Sequence, residues 1–277
     1  MAPPTRKQFG QHWLRSEKAL NQIIKAAALS PSDRVLEIGP GTGILTRQLL
    51  QQAQSVVAVE IDRDLCALLA KKLGSTANFL LLQGDFLTLD LEAHLAAFPQ
   101  FQAPKKVVAN IPYYITGPIL EKLLGNIAEP AASPLESIVL LVQKEIADRL
   151  CAKPGSRTYG ALSVRVQYLA ACEFICDVPA KAFEPPPKVD SAVVRLRPRP
   201  TEPPAQDPKQ LASLVTMGFA TKRKMLRNNL KSVIDRDRLT QLLEQLNVNP
   251  QVRAEDLSVA EWVALSNLLT PACAPTP

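Results

Sequence analysis

The stretch RVLEIGPGTGILTRQLLQQ (Arg34–Gln52) runs from strand to turn to helix without a break. RVLEI is a short apolar run that reads as a strand, and beyond it Leu45, Leu49 and Leu50 fall on one helical face. Between the two, Gly39, Gly41 and Gly43 permit a tight turn and let a ligand approach the backbone closely. The turn is not the dinucleotide fingerprint G-x-G-x-x-G, because residue 44 is Ile, and no Gly-Lys-Ser/Thr follows to make a phosphate loop. What is left is a glycine-rich turn at a helix N-terminus, whose unpaired N–H groups suit an anion such as a carboxylate.

The same alternation continues outward. SVVAVE (55–60) precedes DLCALLAKKL, where Leu65, Leu68, Leu69 and Leu73 recur at helical spacing. NFLLLQ (78–83), KVVAN (106–110) and SIVLLVQ (137–143) extend the series. Strands this uniformly apolar are buried on both faces, as in a parallel sheet covered by helices. The pattern predicts an α/β doubly wound domain with a mostly parallel sheet. After Tyr159, YGALSVRVQYLA reads as a helix, and CEFICDV and SAVVRLRP read as strands around the loop PAKAFEPPPKVD, giving an antiparallel edge. RPRPTEPPAQDP (197–208) is proline-rich, without periodicity, and reads as a linker. Beyond it, Leu211, Leu214, Val215 and Phe219, then Leu239, Leu242, Leu243 and Leu246, repeat as helices do. The expected division is a catalytic domain over 1–199 and a small C-terminal helical domain over 200–277, with frayed ends at MAPPTR and PACAPTP.

Composition narrows the function classes. A hydrophobic fraction of 47% supports a well-filled core. No uninterrupted apolar segment approaches the roughly 20 residues needed to span a bilayer. The N-terminus lacks the apolar core of a secretory signal, so a cytoplasmic protein with no membrane partner is expected. The five cysteines, Cys66, Cys151, Cys172, Cys176 and Cys273, are odd in number and contain no C-x-x-C, which fits a reducing compartment. With only His12 and His94 as histidines, a zinc site has little to build from, and no metal is expected. The net charge of +6 favours an anionic partner without naming it.

Two acids give the glycine turn a chemical meaning. Glu60 ends the second strand of the series, where a carboxylate can accept both hydroxyls of a ribose. Asp85, in QGDF after the third, is placed to accept a hydrogen bond from an adenine amino group. Adenosine bound without a diphosphate fingerprint points to S-adenosyl-L-methionine. NIPYYIT (Asn110–Thr116) then falls at the next strand end, beside the expected sulfonium. The Asn110 side-chain oxygen and the carbonyl at Pro112 supply two acceptors for the N–H groups of an exocyclic base amine. Tyr113 supplies a ring on which a flipped base can stack.

These motifs, and above all FEPPPKVDSAVVRL (183–196), resemble those of the bacterial ribosomal RNA small subunit adenine dimethyltransferases. The resemblance runs from about Phe9 to at least Leu230. It implies a Rossmann-like methyltransferase forming N6,N6-dimethyladenine at two adjacent adenines in a hairpin loop near the 3′ end of 16S rRNA. It also implies binding to an immature small ribosomal subunit, hence a role in ribosome biogenesis; a monomer is expected. Carried over by motif, cofactor contacts fall on His12, Leu14, Gly39, Glu60, Asp85 and Asn110, and the target base meets Asn110, Pro112 and Tyr113, with Phe183 flanking it. The family usually shows Gln-Asn-Phe-Leu where this chain has Gln11-His12-Trp13-Leu14, so the side chain at position 12 offers no amide, while backbone contacts there stay open.

The segment KRKMLRNNLK (222–231) brings Lys222, Arg223, Lys224, Arg227 and Lys231 onto one or two expected helical turns. Beside a base-modifying site they become candidates for contacts to the RNA backbone, with Arg149, Lys153 and Arg157 extending the surface. Two other readings share these features: a 23S rRNA adenine methyltransferase of the macrolide-resistance type, and a catalytically silent RNA-binding assembly factor. Intact Glu60, Asp85 and Asn110 speak for catalysis.

Overall fold

The structure, a computed structural model, describes residues 11–132 and 135–270 of the chain. The two expected frayed ends and Cys273 lie outside the described residues or reach beyond them. The strands in chain order are β1 (Trp13–Leu14), β2 (Arg34–Ile38), β3 (Ser55–Glu60), β4 (Phe79–Gln83), β5 (Lys106–Asn110), β6 (Ser137–Gln143), β7 (Ala170–Val178), β8 (Phe183–Glu184) and β9 (Ser191–Pro198). Seven of them form one sheet in the order β4-β3-β2-β5-β6-β9-β7. Pairing is parallel from β4 through β6, and β9 joins β6 antiparallel, with Gln143 opposite Ser191. The sheet is thus the doubly wound, mostly parallel one predicted from the alternating runs.

Burial explains why the runs are so apolar. Val56, Val57, Ala58 and Val59 are each at most 2% exposed, and Ile138 to Val142 are at 0%. A fully buried aliphatic side chain contributes about 1.5–3 kcal/mol relative to exposure, so the central strands carry much of the unit's stability. Helix Glu17–Ala27 turns Ala19, Leu20, Ile23, Ala26 and Ala27 inward, at the three- and four-residue spacing of one face. The Ser16 hydroxyl caps its first turn by accepting from the Ala19 N–H. The strand at 79 begins one residue later than NFLLLQ suggests. The Asn78 amide instead donates to the carbonyls of Leu50 and Ala53, so that residue closes a turn.

By contact density the described residues fall into two units. One takes those within 1–124, 133–147 and 172–198, the other those within 125–132, 148–171 and 199–277. The second unit is therefore interleaved with the first in sequence: helix Ala161–Leu169 belongs with the residues beyond 199. Its helices include Pro208–Gly218, Arg236–Gln245 and Val259–Leu269, and its core holds the rings of Tyr159, Phe219 and Trp262 in one tilted series. Among the described residues no helix is long and apolar enough to cross a membrane. No group of three or more His, Cys, Asp or Glu is placed among them to hold a metal ion.

Candidate active site

The strand order reverses between β3 and β5 on either side of β2, and ligands of open α/β sheets bind outside the carboxyl ends at such a point. A cavity opens there. Its walls include Glu37, Gly39, Glu60, Asp85, Asn110, Pro112 and Tyr113, with Gln11 to Leu14 along one side.

The glycine turn forms the floor. Gly39, Gly41 and Gly43 have φ of 66°, 58° and 81°, a region that side-chain-bearing residues rarely adopt. The Gly39 N–H donates to the Val59 carbonyl at 2.9 Å and so fixes the turn to β3. A Cβ on Gly41 would lie 2.8 Å from the Trp13 ring, whereas one on Gly39 would meet nothing within 4 Å. The middle glycine admits the N-terminal segment; the first faces open space in the cavity.

Glu60, the last residue of β3, is 5% exposed, and its oxygens accept the N–H groups of Gly41 at 3.1 Å and Asp62 at 3.0 Å. Burial raises its pKa above the usual carboxylate value, and these two N–H bonds oppose the rise. Each oxygen keeps a second lone pair for a ligand hydroxyl. Asp85 accepts the Leu87 N–H through Oδ1 at 2.9 Å, which aims a half-buried carboxylate and leaves Oδ2 for a ligand. The Asn110 side-chain amide, at the end of β5, makes no hydrogen bond among the described residues. The Pro112 carbonyl accepts the Ile115 N–H at 3.3 Å, within a single tight turn over Tyr113–Ile115, and retains one lone pair. Tyr113 donates to or accepts from the Ser191 hydroxyl at 2.6 Å. Its ring lies parallel to that of His12, with centroids 6.1 Å apart.

Glu37 is the residue the motif reading passed over. It sits inside β2, is 1% exposed, and Oε2 has no hydrogen-bond partner among the described residues. Burial pushes its carboxyl up to about 8; the nearby Thr46 hydroxyl opposes this and the charge of Glu60 adds to it. No bond of ordinary length joins Thr46 to Glu37, since the Thr46 hydroxyl is itself without a partner. The signal was present in RVLEI: an acid inside a strand buried on both faces has no solvent to reach.

A family model described as ribosomal RNA adenine dimethylase matches residues 4–271. The chain belongs to the ribosomal RNA adenine dimethylase family. A "Ribosomal RNA small subunit methyltransferase A" from Nostoc sp. is 73% identical over 264 residues, 95% of this chain and 97% of that protein. Among solved structures, a dimethyladenosine transferase from Plasmodium falciparum matches with a TM-score of 0.74 and 28% identity, covering 92% of this chain and 96% of that one. A 23S rRNA methyltransferase matches with a TM-score of 0.72 and 30% identity, covering 92% and 98%. The chain is thus an rRNA adenine dimethyltransferase, and its cofactor is S-adenosyl-L-methionine.

The cavity suits that cofactor: an open floor at Gly39, a buried acid with an unused oxygen at Glu37, and a buried strand-end carboxylate at Glu60 fit a cationic, ribose-bearing molecule. Of the residues expected at the site of this rRNA adenine dimethylase, His12, Leu14, Gly39, Glu60, Asp85, Asn110, Pro112 and Tyr113 all line the one cavity. Phe183 does not. It is 4% exposed and packs in the core, because β8 pairs antiparallel with β1, Leu14 opposite Phe183. His12 reaches the cavity with Nδ1 donating to the Pro185 carbonyl at 2.8 Å, so its hydrogen bond goes to the chain.

The basic segment needs a correction of form. Lys222, Arg223 and Lys224 lie in a turn, and only Leu226–Asn229 is helical, with Arg227 inside it and Lys231 beyond. Met225 bridges to Arg253, and the Asn229 amide donates to the carbonyls of Gly218 and Thr221, which folds the segment into a loop. Lys222 donates to the Arg157 carbonyl at 2.8 Å, so the 153–157 loop and this turn adjoin within the second unit.

Proposed function

We propose that the enzyme dimethylates two adjacent adenines in the hairpin loop near the 3′ end of 16S rRNA, on an immature small ribosomal subunit, as a cytoplasmic monomer. The observation that carries this reading is the convergence of Asn110, Pro112 and Tyr113 on the cavity that also holds the glycine turn, Glu60 and Asp85. When bound, S-adenosyl-L-methionine supplies a methyl carbon on a good sulfonium leaving group. Gly39, Glu60 and Asp85 would hold it, Glu60 offering acceptors for ribose hydroxyls and Asp85 one for the adenine amine, with Leu14 adding an apolar wall and Glu37 a buried acid to the same cavity.

The chain's remaining task is orientation, the main lever for an in-line displacement. The Asn110 side-chain oxygen and the spare lone pair of the Pro112 carbonyl accept the two N–H groups of the target amine. That draws its nitrogen toward tetrahedral geometry and exposes the lone pair to the methyl. Tyr113 walls the flipped base by stacking. No strong base is required, because the methylated amine loses its proton readily to water.

Exposed Lys222, Arg223, Lys224 and Lys231, with Arg227, supply phosphate contacts from the domain beyond residue 199. Replacing Lys222, Arg223 and Arg227 with Glu weakens RNA binding roughly tenfold or more at moderate salt, and the loss shrinks as salt rises; unchanged affinity at low salt makes the segment a bystander. The reading itself is tested by offering labelled cofactor to purified small and large subunits from an unmethylated strain. Label in adjacent adenines of the small subunit is expected, and label confined to the large subunit replaces it with the 23S reading.

A further inference from the structure

The stretch 183–196 is the most distinctive motif of the chain, yet none of its side chains lines the cavity. It touches the site indirectly, at two points. The Pro185 carbonyl holds His12 through Nδ1–H at 2.8 Å, and the Ser191 hydroxyl holds the Tyr113 hydroxyl at 2.6 Å. His12 and Tyr113 are the two rings that lie parallel at the cavity wall.

Ser191 is well placed to be an anchor. It is 0% exposed and begins β9, where its backbone is in register with Gln143 of β6. A tyrosine side chain has two free torsions, and fixing its oxygen sets both. At the other end, the Tyr113 backbone is held by its tight turn, where the carbonyl accepts the Thr116 hydroxyl at 3.1 Å. The ring therefore hangs between a turn after β5 and the first residue of β9. Burial holds the phenol above its usual pKa, so it stays neutral and can complete this bond as donor or acceptor.

We propose that Ser191 is a positioning residue for methyl transfer: its hydroxyl sets the plane of the Tyr113 ring against which the target base stacks. The inference rests on the base-stacking role given to Tyr113 above. It also assigns a task to the 183–196 motif, which brackets the base wall through Pro185 on one side and Ser191 on the other.

The test uses the full chain and small-subunit particles. Tyr113→Phe and Ser191→Ala remove the same bond from opposite ends, so each lowers kcat roughly tenfold, with cofactor Kd close to that of the parent and a urea midpoint lowered only as far as the loss of one buried hydrogen bond requires. The double variant is no slower than either single one, and Ser191→Thr, which keeps a hydroxyl, recovers most of the loss. Multiplied losses in the double variant, or full turnover in Tyr113→Phe, overturn the proposal. Should Ser191→Ala unfold, Tyr113→Phe decides alone, because it leaves the strand untouched. Tyr113→Ala separates the two levels: if it retains full turnover, the stacking role itself falls. If it is inactive while Tyr113→Phe is unimpaired, only the Ser191 inference falls.

Discussion

At the amino end of the parallel sheet, Asp33 and Lys106 meet at 2.8 Å with side chains 13% and 14% exposed, and Lys106 also donates to the Ala28 carbonyl. Arg34 donates to the Gln102 carbonyl and Ser55 to that of Gln100. At the carboxyl end of the same strands, Glu37 keeps an unpartnered buried oxygen and the Asn110 amide is unbonded among the described residues. Along β2, β3 and β5 the amino end satisfies these polar groups within the chain, while the carboxyl end holds acceptors in reserve for a ligand; β6 departs from this, since the buried Ser137 hydroxyl at its start has no partner among the described residues. An unsatisfied buried polar group costs about 1–3 kcal/mol, so the difference marks the end on which stability has been traded for binding.

The largest loss is expected at Asn110. Asn110→Ala removes an acceptor that no other group replaces, and methyl transfer should fall by roughly a hundred- to a thousandfold, as for other lost electrostatic contacts to a reacting group. Cofactor affinity, measured by calorimetry, should weaken only several-fold by the same argument; near-normal turnover would refute the assigned role.

The opposite end gives the opposite result. Lys106→Ala strands the Asp33 carboxylate in a partly buried site, at a cost of about 3 kcal/mol in urea unfolding, while turnover per folded molecule is unchanged. Burial alone raises the Asp33 pKa, but the bonds from Lys106 and Ser30 outweigh it and hold the pKa below 3.8. A depressed carboxyl adds stability above 3.8 that is lost as pH falls through the folded value. Lys106→Ala therefore also flattens the acid limb of the stability curve.

Glu37 supplies the mirror image, with a change that is small within any one pH unit. Its folded pKa is raised from 4.5 to about 8, so between these values the folded state holds a proton that the unfolded chain has lost. Stability should decline with rising pH across that window, by at most about 1.4 kcal/mol per pH unit. Glu37→Gln should abolish the slope; a parallel curve for the variant would show that Glu37 is ionised in the fold.

The parallel strands were legible because a strand buried on both faces can hold little but apolar side chains, and their bounds agree to within a residue. Glu60, Asp85 and Asn110 stood out for a related reason: polar residues at strand ends contrast with such runs. Glu37 escaped because an acid within a strand usually marks a solvent-facing side. The two-residue pairing of β1 with β8 carries no periodicity at all, and it is this pairing that turns Phe183 into the core. The basic segment has the composition of a helix, but Asn229 and Met225 bond outward and fold most of it into a turn.

The chain has two tryptophans, and the fold gives them different surroundings. Trp13 lies against Gly41 at the cavity, half-buried; Trp262 is 0% exposed among Tyr159 and Phe219 in the other unit. Their intrinsic fluorescence is therefore a built-in pair of reporters. Emission from Trp13 follows occupation of the cavity, and that from Trp262 follows the melting of the helical unit. Replacing either with Phe leaves a one-colour protein in which ligand entry and unfolding can be timed separately.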